Sequence, residues 1–222
     1  MLNIRTGKKM KKKFLKIFLS CVFYLSFCLG ASLTVLANVG TASINAFSLT
    51  LTDISSIKTG TFIASINIFF ALIFIFITKF KYKLLSLIQI FAFIFFGIIL
   101  NFFVYDVFSF IPSTSYILRI FILIIGLLIA TFSIGIVTVL RVITFPIETF
   151  CQQLEINKSI SFIKSRYIID FIFIFFAIIL SFLFKTPSYV REGTIITMIL
   201  NSYLVTLSKT YAEKNFSKIL KN

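Results

Sequence analysis

Apolar residues run through this chain in long blocks separated by short polar stretches. The blocks cover residues 14–37, 61–78, 84–108, 120–140, 167–184 and 194–207. A helix needs about 20 apolar residues to cross about 30 Å of hydrocarbon. The first five blocks are of that order, and the last is shorter and interrupted by Asn201. A transmembrane barrel would show regular alternation and frequent turns, a pattern missing here. The reading is an all-α membrane protein with six transmembrane helices.

Two of the connections, 38–60 and 141–165, are long and carry apolar stripes of their own. Ile44, Phe47, Leu51 and Ile54 recur at i, i+3, i+7 and i+10, and Ile147, Phe150 and Leu154 repeat the first three positions. A solvated loop has no reason to keep helical spacing. The stripes predict short helices over 41–55 and 145–157, amphipathic at the interface or re-entrant.

A shift of 103 residues superimposes the two regions. Asn38 then meets Arg141, Ser43 meets Pro146, Asn45 meets Glu148 and Asn67 meets Asp170. The order of span, short helix, span, span occurs twice. Three spans per copy is an odd number, so the second copy enters the bilayer from the opposite side, as in inverted-repeat transporters. The chain then divides into a basic N-terminus (1–13), a first membrane repeat (14–108), a second (109–208) and a basic tail (209–222). Ser26, Gly30 and Thr34 in the first block, and Gly126 and Ala130 in the fourth, have the small-residue spacing that lets helix backbones approach. Homo-oligomerisation stays open.

Charge orients the structure. Of the 22 Lys and Arg residues, 18 fall on one side of the six-span reading and four on the other. Basic loops stay in the cytoplasm, so both termini are expected there, with anionic lipid as the partner of the basic ends. Val35-Leu36-Ala37 resembles a signal-peptidase site, but its apolar run exceeds a signal peptide's 7–15 residues, so a retained span is expected. The net charge of +15 is not read as a nucleic-acid surface, because the cations flank spanning runs. The chain is 59% hydrophobic and 13% charged, where soluble domains carry about a quarter.

Candidate chemistry is sparse. The chain has no His, and Cys21, Cys28 and Cys151 have no metal-ligand spacing. No cofactor or metal is expected, and no nucleophile–base set or phosphate loop marks an enzyme. An ionised side chain at mid-bilayer costs about 2.5–3.5 kcal/mol on insertion scales, so acids near spans need a reason. Asp170 lies four residues after Arg166 on one helix face, either as a helix-end salt bridge or as a site residue. Glu148 follows Pro146 in a first turn, where a carboxylate suits the helix dipole. It reads either as a capping acid or as a ligand where two half-helices meet, with Arg141 to neutralise it. Asn45 and Asn67 are the repeat mates of Glu148 and Asp170. The candidate ligand-binding set is therefore Asn45, Asn67, Arg141, Glu148, Arg166 and Asp170.

Leu29-Gly30-Ala31-Ser32-Leu33-Thr34 with Ala37-Asn38-Val39-Gly40, Pro146-Ile147-Glu148, Arg166 to Asp170, and Arg191-Glu192-Gly193-Thr194 together resemble the motifs of the YczE/YitT-like small bacterial integral membrane proteins. The resemblance covers nearly the whole chain and implies two related halves in the bacterial cytoplasmic membrane. Relatives often carry an acid, a proline and a glycine where this chain has Asn38, Ser43 and Ile147. The resemblance implies fold and location, not a substrate. From residues and resemblance together, the expected function is a small permease-like transporter of an unknown small solute. The alternative is a membrane-embedded binding or accessory subunit of a larger complex.

Overall fold

A computed structural model describes the backbone at residues 2–108, 115–158 and 160–216, with side chains from residue 11 onward apart from Ser202. Among the described residues every regular element is a helix: α1 (Leu2–Leu36), α2 (Ser43–Ser55), α3 (Thr59–Ile77), α4 (Lys83–Asn101), α5 (Tyr116–Leu140), α6 (Pro146–Lys158), α7 (Phe162–Phe184) and α8 (Glu192–Asn215). A π-helical stretch, Phe102–Val107, continues α4. The joint between the expected repeats at 109 and the tail cations Lys218 and Lys221 lie outside the described residues.

Among the described residues, five stretches are long and apolar enough to cross a bilayer: Lys11–Leu36, Thr59–Ile77, Lys83–Val107, Tyr116–Leu140 and Phe162–Phe184. They turn large side chains such as Phe76, Phe91, Phe121, Phe171 and Phe182 outward, while Ser, Thr, Asn, Gln, Arg and Asp side chains lie buried inside. That distribution suits lipid as the solvent and would leave extensive apolar surface open to water. The chain is therefore a multi-pass membrane protein. Helix α8 has 24 residues, about 36 Å at 1.5 Å per residue, but is not apolar enough to join the five. It buries Thr194, Thr197 and Ser208 and exposes Ile195, Ile199, Tyr203 and Leu207. Its inward polar face dilutes a hydropathy signal that reads sequence without reading faces.

The two short helices occupy the predicted segments, and their boundaries keep the 103-residue shift. Ser43 and Pro146 open α2 and α6, Ser55 and Lys158 close them, and Thr59 and Phe162 open the helices that follow. Asn38 (φ 47°) and Arg141 (φ 56°), also one shift apart, are both left-handed, a conformation that commonly stops a helix. Packing keeps the same register: α2 lies chiefly on α7, and α6 on α3. The long helices α1 and α5 cross closely at Gly30 and Gly126. A Cβ on Gly30 would stand 2.6 Å from the Ala130 nitrogen, and one on Gly126 2.8 Å from the Gly30 oxygen. The small-residue spacing in each helix is what permits this contact.

A polar clasp ties the α1–α2 link to the start of α8. The Gly193 N–H donates to the Val39 carbonyl at 2.9 Å. The Thr41 N–H donates to Thr194 Oγ1 at 3.2 Å, and Arg191 Nη1 donates to the Asn38 carbonyl at 3.1 Å. Two stretches singled out separately in the sequence, 37–40 and 191–194, are thus one structural unit. Tyr24, Phe93, Phe96, Phe145 and Ile147 form part of the main apolar core.

Candidate functional site

The starts of α2 and α6 point toward a common cavity of about 100 Å³ to which all eight helices contribute. Several lining residues come in pairs one repeat shift apart: Phe27 and Ala130, Ala31 and Ile134, Ile44 and Ile147, Asn45 and Glu148, Ile63 and Arg166. The wall is mainly apolar, with Phe27, Phe93, Phe96 and Phe145 among its aromatic members. Asn45, Asn67, Glu148, Arg166, Thr34, Thr197 and Asn201 are its polar members.

The candidate residues fall into three positions. Asn45, Asn67, Glu148 and Arg166 line the cavity together. Asp170 lies behind Arg166 and holds it, with Oδ1 3.4 Å from Arg166 Nη1. The pair is buried, so it is an internal ion pair and not a bridge at a helix end. Asp170 also accepts a short hydrogen bond from Ser43 Oγ, the first residue of α2. A carboxylate there meets the positive end of α2's dipole and connects the halves. Arg141 is exposed at the wall of a second cavity and forms no ion pair with Glu148. The left-handed turn after α5 carries it away from the first turn of α6, so Arg166 stands as the cation beside Glu148 in the central cavity.

The second cavity, of about 980 Å³, opens on the face that carries Lys16, Arg141 and Lys209. Phe145 and Glu148 line both cavities and so form the partition between them. Gln89 braces this region from α4: its Nε2 donates to Thr144 Oγ1 at 2.8 Å and Thr149 Oγ1 at 3.0 Å, and both threonines line the larger cavity. Gln89 and Ser43 are functional candidates that sequence reasoning passed over. Gln89 had a usable signal, as a polar residue inside the apolar block 84–108. Ser43 had none, because its partner lies 127 residues away.

Outside the membrane-spanning segments, Tyr189 donates to Asp53 Oδ2 at 2.8 Å, joining the end of α2 to the link before α8. Burial, and then the hydrogen bond to Asp53, push its hydroxyl above the ordinary tyrosine range.

The chain belongs to a family of unknown function, DUF6198, which it matches over residues 14–210. No curated protein and no solved structure matches it.

Proposed function

We propose that this family member is a small permease-like transporter of the cytoplasmic membrane, with six spans in two inverted repeats of the YczE/YitT-like kind. The carrying observation is that Glu148 stands in the partition between the small central cavity and the wide basic-faced one. An inverted-repeat transporter is expected to hold its solute near mid-membrane, where broken or half-helices meet, and to open it to one side at a time. The register of α2 with α6, their reciprocal packing, and the repeat-paired walls of the cavity support that reading. The wide cavity corresponds to the cytoplasmic side, because the charge asymmetry puts the basic ends there.

The test is flux in vesicles reconstituted with the purified full-length chain. Uptake that is lost in Glu148→Gln, with the variant still folded, supports the proposal. A folded chain that moves no solute alone, yet binds one, turns the reading to an accessory subunit. A variant with parental flux removes Glu148 from the pathway.

A further inference from the structure

The polar lining of the central cavity has a definite hydrogen-bonding sense. Thr34 Oγ1 donates to the Ala31 carbonyl at 2.8 Å, and Thr41 Oγ1 donates to Thr34 Oγ1 at 3.2 Å. Both hydroxyl protons are thereby committed. What remains on those oxygens is acceptor capacity, which takes the Asn45 Nδ2 protons at 3.5 and 3.3 Å. This network orients the Asn45 amide. Asn67 is oriented likewise, because its Nδ2 donates to the Ile63 carbonyl at 2.9 Å. Asn45 and Asn67 are 8% and 5% exposed, and both line the cavity. Asn45 directs both amide N–H groups, and Asn67 one of its two, into the protein, and each keeps a carbonyl oxygen as an acceptor. Glu148 adds a carboxylate. The site is therefore rich in acceptors.

Charge points the same way. Arg166 is matched by Asp170, so Glu148 is the surplus charge. Arg166 Nη1 faces Asp170 Oδ1 at 3.4 Å without a hydrogen bond, and the guanidinium is the feature that would suit an anion. An anion there would also face Glu148 and two amide oxygens, which repel it. A metal cation is a poor fit, because hard cations want about six or more oxygen ligands and most of this wall is hydrocarbon. A nitrogen cation with few N–H groups needs fewer oxygens and gains from aromatic faces within about 6 Å. The volume narrows the choice. Pockets for metabolite-sized ligands run to about 300–1,000 Å³, whereas about 100 Å³ holds roughly three water-sized groups.

Resting on the transporter reading above, we infer that the central cavity is a site for a small primary ammonium ion, with Glu148 as counter-ion and the Asn45 and Asn67 carbonyl oxygens as acceptors. The class is ammonium and its smallest alkyl derivatives.

Methylammonium is the probe, added as its chloride to the purified full-length chain in detergent, with sodium chloride and sodium acetate as parallel arms. The assay runs at about pH 8.5, because burial favours a neutral carboxyl and a bound proton competes with a bound cation. Methylammonium should raise the unfolding midpoint in proportion to the logarithm of its concentration, and sodium chloride should not. Glu148→Gln should weaken binding on the order of tenfold to a hundredfold, as for loss of a charge-assisted hydrogen bond. Glu148→Asp, which keeps the charge, should weaken it less and controls for folding. An acetate response without a methylammonium response overturns the inference in favour of an anion site at Arg166. Equal affinity in Glu148→Gln, or no response to methylammonium at all, also overturns it. Binding without flux leaves the inference standing and removes the transport reading. Flux of another solute without methylammonium binding does the reverse.

Discussion

Replacing Asp170 by Asn isolates the charge on which the interior depends. The side chains of Arg166 and Asp170 are only 8% and 5% exposed, and their nearest atoms are 3.4 Å apart. Asn is close to isosteric and can still accept from Ser43, so shape and that hydrogen bond survive. What is lost is the negative charge opposite a buried guanidinium. Removing one partner of a buried pair costs about 3–5 kcal/mol, most of it the penalty on the charge left behind. For a chain of this size each kcal/mol moves the unfolding midpoint by about 2–4 °C, so a fall of roughly 6–20 °C is expected. Arg166→Met should fall less, because Asp170 keeps the Ser43 hydroxyl and the positive end of α2 beside it. The double variant Arg166→Met/Asp170→Asn should recover much of the Asp170→Asn loss, since no buried charge remains unmatched. The assay is thermal unfolding of detergent-purified protein at one fixed scan rate, because irreversible unfolding makes midpoints rate-dependent. An Asp170→Asn midpoint within about 2 °C of the parent, or strict additivity in the double variant, would refute the claim that this pair is desolvated and coupled.

Gly193→Ala should lower the yield of folded protein in size-exclusion profiles, because the added Cβ would stand 2.6 Å from the Gly40 oxygen and 2.8 Å from the Val39 oxygen and force the clasp apart. Tyr189 carries a pH dependence of known sign. Its folded pKa is raised by burial and by Asp53, so its contribution is fully present below the ordinary tyrosine value of about 10 and fades as pH rises through the folded value. Unfolding midpoints between about pH 9 and 12 should therefore drop more steeply in the parent than in Tyr189→Phe. Reporter fusions after Lys58, Lys83 and Lys164 should read outside, inside and inside, and an inside signal after Lys58 would break the six-span topology.

The short helices were legible because their stripes are local. Ile44, Phe47 and Leu51 mark α2, and Pro146 supplies a helix start for α6. The 103-residue spacing of the helix boundaries was legible for a similar reason, since it needs only the order of blocks. The starts of the long helices were not. Hydropathy begins the fifth block at 167, whereas α7 begins at Phe162. Lys164 and Arg166 hide the first turns, which is why Asp170 reads from sequence as a boundary residue while it lies two turns inside a helix. Arg141 forms no ion pair with Glu148, and seven residues of sequence separation say nothing about a left-handed turn between them. The clasp between 38–41 and 191–194 was invisible as a contact, since its halves lie 153 residues apart.

The 103-residue register is even in helix boundaries and uneven in chemistry, and the unevenness follows a rule. At three equivalent pairs around the cavity the first half supplies Asn45, Ile63 and Asn67, all neutral, and the second supplies Glu148, Arg166 and Asp170, all charged. A faithfully duplicated charge set would bring two carboxylates onto opposite sides of a cavity of about 100 Å³, where like charges cannot both stay ionised. Keeping the charges in one half avoids that repulsion. It also lets the Arg166–Asp170 pair neutralise itself on a single helix, with Ser43 from the other half completing the carboxylate's hydrogen bonds. The neutral residues then contribute what a carboxylate alone lacks: amide oxygens, that of Asn45 oriented by a threonine pair and that of Asn67 by the Ile63 carbonyl. The shared register sets where the groups stand, and the unequal residues at matched positions give the cavity a charge with a sign.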